Sequence, residues 1–205
     1  GGGAHFHVAM LANMTYPFEE AREWNAFAPK TLKQLLVRST NVLGYTPQPR
    51  NLMQLTGEMI CEHYDVVRCF DFLNEADNMA PIAEVVLSRP DKLFEPAIAL
   101  SRAPWFDVNY CLQSAEAMGV PEQTAVRRIT LGLKDMAGVC SPAFMTALVT
   151  ALKKRWPELV LHYHRHAVDG LFLPACAAAA AAGCEILDAG LGASVRSYGQ
   201  GDLLS

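Results

Sequence analysis

The feature that most constrains this chain is a rhythm. Short apolar runs of β type recur at intervals of roughly 30 residues, the length of one strand–helix unit, and each is followed by a helical pattern. They read HFHVA (His5–Ala9), QLLVR (Gln34–Arg38), VVRCF (Val66–Phe70), PAIAL (Pro96–Leu100), TLGLK (Thr130–Lys134), LVLHYH (Leu159–His164) and EILDA (Glu185–Ala189). Strand, helix, strand in repetition implies parallel strands, and near-continuous apolar runs fit strands covered on both faces. The intervening helices carry start signals. PFEEAREWNAFA opens with Pro17, and SPAFMTALVTALKKRW offers Ser141 as N-cap with Pro142 behind it. The alanine run Ala177–Ala182 reads as a tightly packed helix.

Seven such strands stand one short of an eight-stranded barrel. The alternative is an open, doubly wound sheet, but its glycine-rich turn would link the first strand to a helix. GGGAHF precedes a strand instead. The expected fold is therefore α/β, a TIM (β/α)8-type barrel that is incomplete, with its first strand and last helix outside the chain. One barrel domain over residues 1–205 is expected. With no initiator Met and an end soon after the last strand, it is expected to be a fragment of a larger chain.

Composition narrows the setting. With 51% hydrophobic residues in 205, the chain can bury one substantial core. A net charge of −4 without a basic run argues against nucleic acid and anionic membrane surfaces as partners. Six cysteines without a CxxC pair, several inside apolar runs, fit reduced and buried thiols. No secretory signal pattern is visible, and the longest apolar run is too short to span a bilayer. A cytoplasmic protein without a membrane span is expected.

In a β/α barrel the chemistry gathers at the C-terminal ends of the strands. Arg38 ends its strand, Phe70 leads into Asp71 and Asn74, Lys134 and Asp135 end LGLKD, and His164 and His166 end LHYHRH. Singly these have structural explanations: a snorkelling lysine, an ion-paired arginine, a capping aspartate in a turn. Jointly they point to a functional rim. The histidine strand is the sharpest case. His162, His164 and His166 alternate, so all three point one way, either as a surface stripe or as metal ligands.

The motifs GGAHFHVAM, QLLVRSTNVLGY, VVRCFDFLN, LGLKDMAG and LHYHRHAVDG occur in an order and spacing that resembles the carboxyltransferase domain. That domain is found in pyruvate carboxylase, the oxaloacetate decarboxylase α subunit and the transcarboxylase 5S subunit. The likeness runs from Gly2 to about Leu191, and KDMAG followed one unit later by HxH is its specific part. The resemblance implies transfer of a carboxyl group between carboxybiotin and a small 2-oxo acid such as pyruvate or oxaloacetate, in either direction. It implies metal ligation by Lys134, as a carbamate, with His164 and His166, the ion being zinc, manganese or cobalt. A fourth ligand, an aspartate in an RDAHQS segment, is absent. His162, deeper in the strand, is assigned to hydrogen-bonded core.

On the same resemblance, Arg38 and Tyr45 bind substrate and act in catalysis. The chain departs from the family at two places. His7 stands where the family has a substrate-side aspartate. Tyr198, beside Ser197, stands where the family's proton-carrying threonine falls. The implied partners are a biotin carrier domain, a biotin carboxylase and further copies of the chain. Two other readings stay open: a metal-dependent C–C lyase or aldolase of the 3-hydroxy-3-methylglutaryl-CoA lyase-like superfamily, and a catalytically silent barrel kept for assembly.

Overall fold

Six of the apolar runs form strands: β1 (Gln34–Arg38), β2 (Val66–Asp71), β3 (Leu93–Ala99), β4 (Thr130–Asp135), β5 (Val160–Arg165) and β6 (Ile186–Leu187). In this computed structural model the described residues are 2–120, 130–192, 195, 197 and 199–203. The strands lie in one sheet in the order β1-β2-β3-β4-β5-β6, and β1–β2, β3–β4, β4–β5 and β5–β6 pair in parallel. Strictly sequential order is that of successive units in a barrel wall. A doubly wound sheet would reverse its order at a switch point, and this one does not.

Helices follow the strands as the start signals indicate. They are α1 (Gly3–His7), α2 (Pro17–Phe27), α3 (Arg50–His63), α4 (Ala76–Ser88), α5 (Val108–Ala117), α6 (Pro142–Arg155) and α7 (Phe172–Ala181). Pro17 opens α2, and Ser141 caps α6 by accepting the Phe144 N–H at 3.2 Å. Each device satisfies or removes a donor that the first helical turn leaves without a partner.

The chain clusters into two compact units, Gly1–Pro96 and Ala97–Ser205, with the division inside β3. In the first, Leu35, Val37, Val67 and Cys69 are fully buried strand residues, and Met53 and Ile60 of α3 and Ile82 and Val86 of α4 join the core. Gly57 allows α3 and α4 to approach, since a Cβ there would already lie 3.4 Å from Val85. In the second, Leu131, Leu133, Leu161 and Tyr163 are fully buried, as are Met145, Leu148, Val149 and Leu152 of α6. The alanine run belongs to α7, which packs on α6 and buries Ala175 and Ala179 completely. Small side chains there let two helix backbones come close. All six cysteines are free and buried. Burial pushes the Cys69 and Cys111 thiols up to about 12 and Cys184 up to about 11, so these are inert core residues.

One expected strand does not form. HFHVA reads as one of the recurring β-type runs, but the chain there is α1 followed by a π-helical turn, Val8–Ala12. A strand would have put Phe6, Val8 and Met10 on one face. Instead Phe6 and Ala9 are buried, at 2% and 1% exposure, while Val8 is 54% exposed, which is helical spacing. Gly2 alone makes a parallel bridge to Leu36 of β1. At the other end β6 is short and exposed on both residues, as expected of a sheet edge.

Candidate active site

In the first unit β1 ends on Arg38, and the chain doubles back immediately. Arg38 N–H donates to Val42 O at 2.8 Å and Val42 N–H to Arg38 O at 3.0 Å. The bend puts Ser39 at φ 29° and Val42 at φ 51°. A β-branched residue in the left-handed region carries a cost on the order of 1–3 kcal/mol, so the loop has to be held by its surroundings. Asp71 at the end of β2 holds it, accepting from Ser39 Oγ at 2.8 Å, Leu73 N at 3.0 Å and Asn78 Nδ2 at 3.1 Å. Asp71 thus also caps the turn that follows β2.

The bend carries Tyr45 back over Arg38. The guanidinium carbon lies 4.4 Å from the Tyr45 ring centroid, and Arg38 Nη1 donates to Gly44 O at 3.1 Å. Arg38 Nη2 is 3.5 Å from the Tyr45 hydroxyl. The His7 ring stands 4.7 Å from that of Tyr45. Gly3 lies beneath, where a Cβ would collide with the Arg38 guanidinium and approach Leu43 O to 2.9 Å. Arg38, Tyr45 and His7, the three substrate-side residues read from the sequence, thus form one cluster, with Tyr45 63% exposed.

In the second unit the ends of β4 and β5 carry ionic groups on both faces. Lys134 is in register with His164, and Asp135 with Arg165. Register partners in a parallel pair share a face, so Lys134, His162, His164 and His166 face one way and Asp135, Tyr163 and Arg165 the other.

On the second of these faces Asp135 and Arg165 are completely buried and meet at 2.6 Å. Asp135 also accepts from Val139 N at 2.9 Å and Cys140 N at 3.1 Å. Arg165 also donates to Cys140 O at 2.7 Å, Gly138 O at 3.0 Å and Asp169 Oδ2 at 2.5 Å. Burial works against the Arg165 cation, but the bonds to Asp169 and Tyr163 and the Asp135 charge outweigh it and hold its pKa above the ordinary value. The KDMAG turn is therefore a tied loop. Gly138 is required in it, at φ 64° and with a Cβ position 2.8 Å from Val168.

On the first face His164 and His166 stand edge to face with ring centroids 5.1 Å apart, and Lys134 is 5% exposed. Burial, then proximity to His164 and Lys134, lowers the His166 pKa, which favours the neutral imidazole. Its Nε2 lies 3.2 Å from the Gln200 amide nitrogen. Asp188, just past β6, contacts His162 Nε2 at 2.5 Å and His164 Nδ1 at 2.8 Å. Sequence reasoning passed over Asp188, although EILDA obeys the strand-end rule that selected the others. Tyr198, the expected proton carrier, lies outside the described residues. A cavity of about 630 Å³ opens beyond the ends of β3, β4 and β5, with Arg102, Phe106, Cys140, Ser141, Phe144 and Asp169 in its wall.

Among the described residues no three His, Cys, Asp or Glu side chains are grouped to hold a metal ion. Lys134 is the group in register with His164. The set fits a divalent ion if the lysine supplies an anionic oxygen.

An α/β segment with ionisable groups at its strand ends is the class that fold and site define. No protein-family profile matches the chain. Individual relatives do. It is 34% identical over 200 residues to human mitochondrial pyruvate carboxylase and 33% over 198 residues to the mouse protein. It is 31% identical over 194 residues to pyruvate carboxylase of Bacillus subtilis. In each case 91% of this chain is covered, but it spans only 16% of the relative's length. Among solved structures, the carboxyltransferase domain of Rhizobium etli pyruvate carboxylase superposes with a TM-score of 0.89 at 30% identity, over 99% of this chain and 34% of that one. The same domain with pyruvate and biocytin gives 0.87. The chain is therefore homologous to the carboxyltransferase domain of pyruvate carboxylases, and the likeness carried by its motifs stands.

Two outcomes are expected of the tied loop. Asp135→Ala leaves the Arg165 charge buried without its main partner and should cost ~3–5 kcal/mol, read as a lower urea midpoint at unchanged slope. The second concerns acid. The bond from Arg165 holds the Asp169 carboxyl below the usual carboxylate range, so its contribution is full above the unfolded pKa and is lost as pH falls through the lowered folded value. Asp169→Asn should accordingly lose less stability than the parent chain between about pH 5 and about pH 3 in urea melts.

Proposed function

We propose that this chain is part of a biotin-dependent carboxyltransferase, an enzyme component that moves a carboxyl group between carboxybiotin and a small 2-oxo acid such as pyruvate or oxaloacetate. The observation that carries the reading is the set of Lys134, His164 and His166 on one face of adjacent parallel strand ends. The Arg38–Tyr45–His7 cluster supports it independently. A guanidinium offers a planar fork suited to a carboxylate, and the Tyr45 hydroxyl beside it can donate to a second oxygen of the acceptor.

In this reading Lys134, after reaction with carbon dioxide, holds a divalent ion (zinc, manganese or cobalt) together with His164 and His166 through nitrogen and oxygen ligands. The ion's contribution when bound is Lewis acidity toward a carbonyl or enolate oxygen. Biotin on a carrier domain, charged by a biotin carboxylase, would supply or accept the carboxyl group. Arg38 orients the acid, His7 lines the substrate side, and Tyr198 is assigned the proton transfer. Self-association of the full chain is part of the proposal. Six buried, unbridged thiols suit a reducing compartment such as the cytoplasm, and among the described residues no helix is long and apolar enough to cross a membrane. The imidazole of His7 against Tyr45 is the observation that favours a second reading, a metal-dependent C–C lyase or aldolase acting without biotin.

Two measurements test this. Arg38→Lys keeps the charge but loses the fork, so in the intact protein kcat/KM for the 2-oxo acid should fall by ~1.5–3 kcal/mol of transition-state stabilisation. Unchanged kcat and KM would make Arg38 structural. Removing bicarbonate should lower metal content in the intact protein but not in Lys134→Ala, whose content should be low throughout. Equal metal content in all four samples would exclude Lys134 as a ligand and favour the lyase reading.

A further inference from the structure

His162 and His164 share one face of β5 and His166 follows it, yet a site using the strand end needs only two of the three. The third, His162, is accounted for by Asp188. β5 and β6 pair in parallel with His162 opposite Ile186 and Tyr163 opposite Leu187, so the next pair outward sets Asp188 opposite His164. Alternation then turns Asp188 to the histidine face. Its two oxygens are divided between two rings, Oδ1 to His162 Nε2 at 2.5 Å and Oδ2 to His164 Nδ1 at 2.8 Å. The contacts are partly screened from water, with side-chain exposures of 8% for His162, 17% for His164 and 31% for Asp188.

An ionised carboxylate only accepts, so the ring nitrogen facing each oxygen carries a hydrogen. With both rings neutral, as ligation through His164 requires, that makes His164 the Nδ1–H tautomer, with its lone pair on Nε2, and His162 the Nε2–H tautomer. The two rings consequently use opposite nitrogens toward one carboxylate. A single bond would leave Asp188 able to swing about its side chain, whereas a second bond to the deeper His162 fixes both oxygens.

We propose that Asp188 is a positioning residue that presents His164 Nε2 for metal ligation, and that His162 is the brace which holds Asp188 in place. This rests on the reading of His164 as a metal ligand. A carboxylate behind a ligating imidazole sets the tautomer, stops ring rotation and raises the basicity of the opposite nitrogen. His162 is thus neither a surface histidine nor a third ligand. Its ring serves the site at one remove.

Two readouts, both made on the full chain, separate this from general structural damage and from failure of the metal reading. Long-range proton–nitrogen spectra of the metal-free protein read each tautomer directly. His164 should show a protonated Nδ1 in the parent chain, and Asp188→Ala should shift it to a mixture rich in Nε2–H while leaving His166 unchanged. Zinc titration should show Asp188→Ala weakened by on the order of 10–100-fold. Asp188→Asn, which keeps shape and fold, should be intermediate because its amide can accept from only one ring. His162→Gln should weaken zinc less than Asp188→Ala. If the parent chain binds zinc and both Asp188 variants bind it equally well, the positioning role is wrong while the metal site stands. If the parent chain takes up no zinc, the metal reading fails and the proposal with it. A His164 tautomer identical in the parent chain and in Asp188→Ala also overturns it.

Discussion

The buried contact between Asp135 and Arg165 is the interaction on which the second unit's site depends. Each residue is flanked in sequence by site groups: Lys134 precedes Asp135, and His164 and His166 bracket Arg165. Because a strand alternates, whatever clamps one face of these two strand ends also sets the spacing of groups on the other. Arg165 spreads its donors over Asp135, two carbonyls of the KDMAG turn and Asp169, which joins the end of β4 to the end of β5 on the side away from the histidines. A buried ion pair seldom adds much net stability against well-packed apolar residues of the same size. Its contribution here is geometric, a defined register for Lys134 against His164.

The first unit reaches order by a different route. Its loop after β1 is bent into backbone conformations that serine and valine rarely adopt, and Asp71 ties it to the end of β2 through the Ser39 hydroxyl. The bend returns Tyr45 onto Arg38, so strain at Ser39 and Val42 accompanies the close approach of a hydroxyl, a guanidinium and an imidazole. Glycine at position 3 is the matching concession on the opposite side, since any larger residue would meet the guanidinium. His7 closes the cluster from α1, its ring 4.7 Å from that of Tyr45.

Much of the candidate site was legible because barrel logic and local sequence agree. Arg38, Lys134 and His164 end apolar runs, and a parallel strand's C-terminal end is a position that can be counted from the sequence. Tyr45 and His7 were legible only through the resemblance, since seven residues of loop and a helix separate them from any periodic pattern. HFHVA reads as a β-type run, but the buried pair that decides the matter, Phe6 and Ala9, is three apart. Asp188 was passed over for another reason. Its significance lies in two partners 26 and 24 residues away, and nothing in EILDA announces them.

By itself the sequence determined the α/β class, the parallel order and which strand ends carry charge. Those follow from periodicity, from cap residues and from apolar runs long enough to be covered on both faces, all of them local properties. Only the tertiary structure decided that His162 and His164 share Asp188, that Asp135 and Arg165 bind each other on the opposite face, and that Asp71 meets Ser39. Each of these is a pairing of polar groups from different strands or loops. Which buried donor meets which acceptor is settled by register and by the cost of leaving either without a partner, and that becomes definite only once the strands lie side by side.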